Sequence, residues 1–155
     1  MRCISLAEIL RPIGTVARAL DSISNIEFKA LDLNRGQYLY LVRVAESPGI
    51  ILERLAVIVR VDKTTAARAI QKLEKNGILE RRPSPTDKKQ KQIFLTAKGQ
   101  ALYPIIKREN AYSNATALKG FTPAERDQLA EYLKRVEANI NSDWVKVKHG
   151  EHRDY

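Results

Sequence analysis

The sequence predicts a mainly α-helical chain that carries one small β-hairpin. Three observations lead there. Apolar residues recur at steps of three and four along most of the chain, the pattern of helices buried on one face. The segment from Ile51 to Lys75 reads as helix, tight turn, helix. Directly after it, two β-prone runs, Ile78–Arg82 and Gln92–Leu95, flank a turn-forming Pro83-Ser-Pro-Thr-Asp87.

From about Ser5 to Phe28, apolar residues at Leu6, Ile9/Leu10, Ile13, Val16/Ala17, Leu20 and Ile23 predict a long helix with one narrow stripe. Proline removes a helix hydrogen bond, so the helix either starts near Pro12 or bends there. Leu31 to Asn34 is a connector, and Asn34 is expected to cap a helix from Arg35 to Glu46 with Leu39, Leu41, Val42 and Ala45 inward. Ser47-Pro-Gly49 ends it. Ile51 to Val59 is a short helix with Leu52, Leu55, Ala56 and Val59 inward. The turn Val59-Arg60-Val61 lacks the glycine that such turns often carry.

Asp62 is a good N-cap, because its carboxylate can accept from a free N–H of the first turn. Asn76-Gly77 can take the left-handed conformation that closes a helix. Between them Ala66, Ala69, Ile70 and Leu73 form one face, and Thr64, Ala67, Arg68, Gln71 and Lys75 the other, flanked by Thr65 and Lys72. After the hairpin, Thr96 caps a helix from Ala97 to about Leu118, with an interruption expected at Pro104. Thr122-Pro-Ala-Glu125 combines an N-cap, a proline at the first helical position and a glutamate three residues on, a strong helix start. The last helix is expected to bury Leu129, Leu133, Val136 and Ile140. The tail from Lys146 to Tyr155 has no apolar periodicity and is expected to fray.

The chain of 155 residues carries a net charge of +9. Residues 62–98 hold ten Lys/Arg against four Asp/Glu, a net of +6, so one helix and one hairpin tip carry most of the imbalance. That concentration is the footprint expected for a nucleic-acid backbone; a merely solvated helix face and loop is the alternative. No run approaches the ~20 apolar residues of a membrane span. Glu8 and Arg11 within the N-terminal apolar pattern argue against a secretory signal. The single cysteine, Cys3, fits a reducing compartment, and a cytoplasmic protein is expected. There is no Gly-rich phosphate loop, no Cys/His pair at metal spacing and no nucleophile elbow, so neither enzyme, metal nor cofactor is expected. His149 and His152 lie in the tail and cannot supply four converging ligands.

Leu33 to Val44, the stretch from Leu55-Ala56 through Leu73-Glu-Lys-Asn-Gly77, the run from Ile78 to Lys89, Ile93-Phe-Leu-Thr-Ala-Lys-Gly99 and Phe121-Thr-Pro-Ala-Glu125 together resemble the MarR family of winged helix-turn-helix regulators, named for multiple antibiotic resistance. The resemblance spans most of the chain. It implies a winged helix-turn-helix domain over residues 31–96, helical dimerisation regions at 1–30 and 97–145, and a flexible tail at 146–155. It further implies a homodimeric, sequence-specific transcriptional regulator of a palindromic double-stranded DNA operator, a repressor released by a small aromatic or phenolic effector. An architectural, weakly sequence-selective DNA-binding protein is the alternative. The narrow stripes on the first and last helices fit either a second copy or a helix of the same chain.

Under the resemblance, Lys63, Thr64, Thr65, Arg68, Gln71 and Lys72 would reach bases or phosphates in the major groove, and Arg68 suits guanine O6 and N7. Arg82, Asp87, Lys88, Lys89 and Lys91 would form the minor-groove wing. Asp87 either orients a basic partner there or merely forms the turn. The family pattern expects arginine where this chain has Lys88 and Lys89; the strongly hydrated ammonium lacks arginine's planar fork, so the wing should add affinity more than selectivity. Arg11, Arg18 and Tyr38 are candidates for holding an aromatic carboxylate effector. Cys3 falls away from the family's redox-cysteine position, which corresponds to Leu10 here.

Overall fold

The computed structural model describes residues 6–33 and 36–155. The expected cap Asn34, its neighbour Arg35, and Cys3 lie outside those residues. Among the described residues, six helices and a two-stranded hairpin follow in the order α1 (Leu10–Glu27), α2 (Gln37–Glu46), α3 (Leu52–Val59), α4 (Lys63–Lys75), β1 (Leu79–Pro83), β2 (Lys91–Leu95), α5 (Ala97–Ala117) and α6 (Pro123–Lys148), with a 3-10 turn at Lys29–Leu31. The chain divides into two compact units, residues 1–113 and 114–155.

In the first unit, α1 starts two residues before Pro12, so the proline sits in the first turn, where its missing N–H is not needed. Glu8 Oε1 accepts the N–H groups of Leu10 (3.1 Å) and Arg11 (3.2 Å) and caps that end. The helix buries only Ser24. Its stripe remains open, with Leu10 59% and Val16 54% exposed. α2 begins at Gln37, behind Gly36, whose N–H is held by Asn25 Oδ1 at 3.0 Å. Its buried face is Gln37, Tyr38, Tyr40, Leu41 and Val44. Leu39, expected inward, is instead exposed. Gln37, Tyr40/Leu41 and Val44 set the three-four spacing, and that phase turns Leu39 outward.

The core gathers Leu33, Leu41, Val44, Leu55, Ile70, Leu73, Ile78, Ile93 and Ile106, all fully buried. α3 ends at Arg60, which adopts the left-handed conformation (φ 63°) usually left to glycine. Its guanidinium reaches back to the Val57 carbonyl, and the Val61 N–H returns to Ala56 O at 3.0 Å. The absent glycine thus leaves the turn intact. β1 and β2 pair antiparallel, with Leu79 opposite Leu95 and Arg81 opposite Ile93. Ile50 bridges to Ile93 and ties the segment before α3 to the hairpin.

Thr96 closes the module. Its hydroxyl donates to Ile78 O (3.0 Å), and its Oγ1 also accepts the Gly99 N–H (3.2 Å). Gly99 is pressed so closely on Ile78 that a Cβ there would stand 2.3 Å from the Ile78 carbonyl oxygen. α5 runs unbroken through Pro104, contrary to the expected interruption. The proline withholds one hydrogen bond, but the turns on either side, with Leu102 and Ile106 buried, hold the helix together.

The second unit is dominated by α6. Thr122 Oγ1 accepts the Glu125 N–H (3.2 Å) and Glu125 Oε2 accepts the Thr122 N–H (2.8 Å), the reciprocal cap expected from the sequence. No residue of α6 is buried; Leu133 is 45% and Ile140 51% exposed. Leu129 and Val136 are half-buried while Leu133 and Ile140 are exposed, so the expected burial of the stripe is met only in part in the single chain. A seam this narrow gains little area unless a second helix lies along it. The helix continues to Lys148, into the stretch expected as tail.

Candidate nucleic-acid interface

α4 is fastened at both ends by its own sequence. Asp62 Oδ1 accepts the Thr65 N–H at 2.7 Å, and Asp62 Oδ2 accepts the Thr65 hydroxyl at 2.9 Å. Gly77, at φ 72°, supplies the positive dihedral that closes the other end. Ala66, Ile70 and Leu73 anchor the inner face. Thr64, Arg68, Gln71, Lys72 and Lys75 are left exposed together on the outer side. Thr65 is exposed too, but its hydroxyl proton is committed to the cap.

Lys63, at the start of α4, forms an ion pair of 2.6 Å with Glu53 in the first turn of α3. The Lys63 hydrogen bond, aided by the backbone of Glu53, holds that carboxyl below its usual range. No local sequence signal joins these two residues, because the turn between α3 and α4 brings them together.

On the hairpin, Arg82 pairs with Glu80, its Nε 3.0 Å from Oε1, and lies over the Phe94 ring, 4.5 Å from the centroid. Attraction to the ring face keeps the guanidinium against the wing. Arg81, not singled out in the sequence, binds Glu74 of α4 at 2.5 Å and ties the wing to the end of that helix. Asp87 Oδ1 accepts the Lys89 N–H at 3.0 Å, which is turn chemistry. Lys88, Lys89 and Lys91 are exposed at the tip and make no ion pair among the described residues. Between α3, α4 and the wing lies a cleft of about 270 Å³ bordered by Lys63, Arg81, Lys89 and Lys91, with Glu53 its one acid among the described residues.

Of the effector candidates, Tyr38 is buried and its hydroxyl donates to Asp21 Oδ1 at 3.0 Å. Burial pushes its pKa up, with the Asp21 carboxylate adding to the rise. Tyr40 is raised likewise, by burial and then by the Asp62 carboxylate. Arg18 and Asp21 border an open hollow of about 570 Å³ with Ser22, Asn25, Ile26 and Lys29. Arg11 is exposed at the other end of α1 and takes no part in it. Among the described residues no group of His, Cys, Asp and Glu could hold a metal ion, and no helix is long and apolar enough to cross a membrane.

Comparison with known proteins agrees with this geometry. Residues 33–91 match the MarR family. The HTH-type transcriptional regulator YybA of Bacillus subtilis (strain 168), described as uncharacterized, is 56% identical over 148 residues, covering 96% of this chain and 99% of its own. A regulator from Listeria monocytogenes assigned to the MarR family, solved complexed with 26mer DNA, is 57% identical with a TM-score of 0.93, covering 97% of this chain and 100% of its own. A SlyA-like transcription regulator from Listeria monocytogenes superposes with a TM-score of 0.92 at 57% identity, over 97% of this chain and 100% of its own. With its capped α4, its hairpin wing and relatives of this closeness over nearly all of its length, the chain belongs to the MarR family of transcriptional regulators, which are DNA-binding proteins and not enzymes.

Proposed function

We propose that this chain is a sequence-specific regulator that binds a palindromic operator in double-stranded DNA as a homodimer and represses transcription until a small aromatic or phenolic effector releases it. The observation that carries the reading is the outer face of α4, where Thr64, Arg68, Gln71 and Lys72 stand exposed on a helix whose other face is locked into the core. A helix so presented fits the major groove, and Arg68 can pair in bidentate fashion with guanine. The Listeria monocytogenes regulator complexed with 26mer DNA supports the partner. Support for a second copy comes from α1 and from α6, each of which keeps an apolar stripe open in the single chain. Membership of the MarR family supports repression, effector release and a cytoplasmic location as parts of this reading.

Lysines at positions 88 and 89 favour a second reading, an architectural protein that binds any duplex through phosphates alone. Competition between a candidate operator and random duplex separates the two. The regulator reading expects preference for its site of about 10³-fold or more. Equal affinity for both duplexes supports the architectural protein.

A further inference from the structure

Lys63 stands at the N-terminus of the reading helix, where a cation is disfavoured by the helix dipole and a phosphate is welcome. Its ammonium is nevertheless engaged by Glu53 at 2.6 Å, the carboxylate that lines the basic cleft between α3, α4 and the wing. Both side chains are more than half exposed, 64% and 56%. An ion pair so open to water contributes little to folding stability. A phosphate arriving at this end of α4 meets a lysine that already has a carboxylate partner.

We propose that Glu53 is an internal competitor for DNA phosphates: it holds Lys63 in the cleft and so lowers affinity for arbitrary duplexes, leaving base contacts to decide where the protein stays. The inference rests on the reading that α4 enters DNA. Non-specific affinity comes almost wholly from neutralised phosphates, whereas specific complexes add base contacts. Restraining one cation therefore removes a larger fraction of the binding free energy of an arbitrary duplex than of the operator, which keeps its base contacts.

Titration of a random duplex against salt, with the full chain and Glu53→Gln, Lys63→Ala and the double variant, tests this. Glutamine keeps the size and the acceptor while removing the charge. Glu53→Gln should bind random duplex more tightly. Its plot of log affinity against log salt should steepen by about 0.9, which is about 3.5-fold more loss over a fourfold rise in salt. In the Lys63→Ala background most of that gain should vanish. An unchanged slope overturns the proposal. So does weaker binding by Glu53→Gln, which would make Glu53 a support that aims Lys63 at the DNA. A full gain persisting without Lys63 overturns it as well, since it would reflect only general charge. A native chain that binds no duplex removes the underlying DNA reading too, and is distinguishable from a native chain that binds with the same slope as Glu53→Gln. Equal thermal unfolding of all four proteins excludes a folding defect as the cause.

Discussion

Arg68 is the side chain on which sequence preference should turn. It is exposed on α4, carries a planar fork of donors and makes no ion pair among the described residues. Arg68→Ala should cost about 1–3 kcal/mol on the preferred site and flatten the preference at one base position. Weakening by the same factor on every duplex would reduce Arg68 to a phosphate contact. Lys88 and Lys89 belong to the opposite category. As exposed ammonium groups on a turn organised by Asp87, they should act through charge alone. Replacing both by alanine should make the salt dependence shallower by roughly 0.9 for each phosphate that is no longer neutralised; an unaltered slope contradicts that role. Arg82 differs from them, since Glu80 and the Phe94 ring already hold it. The charge of Arg82 is plain in the sequence. Its two partners are not, because they depend on the pairing of β1 with β2.

Elements whose signals are local are legible in the sequence, and those set by packing are not. Asp62 and the Thr122–Glu125 pair cap their helices as expected, because the chemistry lies within four residues of chain. The limits of α4 and of both strands fall within a residue or so of the expected places. The phase of α2 escapes the apolar pattern because Gln37 and the tyrosines Tyr38 and Tyr40 are polar by composition yet buried by packing. Arg60 carries no sign that it will adopt a left-handed dihedral, and Pro104 gives a break signal that the flanking packing overrides. Gly99 shows how tightly the junction between hairpin and α5 is built. Gly99→Ala would push a methyl group against the Ile78 carbonyl oxygen. Denaturant unfolding should show a loss of about 1–3 kcal/mol, the cost of overpacking a site that cannot yield. A neutral effect would mean that α5 can slide away from the hairpin.

At the scale of the molecule, a single chain leaves two things unfinished: an apolar stripe on α1 and another on α6. Their three-four spacing is plain in the sequence, but what covers them is not a property of one chain. We propose that a second copy does so and thereby sets two α4 helices at the spacing of successive major grooves, ~34–36 Å apart. Selection of bound sequences from a random DNA pool tests this most directly. A dimeric reader predicts an enriched palindrome with half-sites one helical turn apart, and loss of one symmetric base pair in each half when the selection is repeated with Arg68→Ala. A pool without symmetry, or one enriched for nothing, would contradict it.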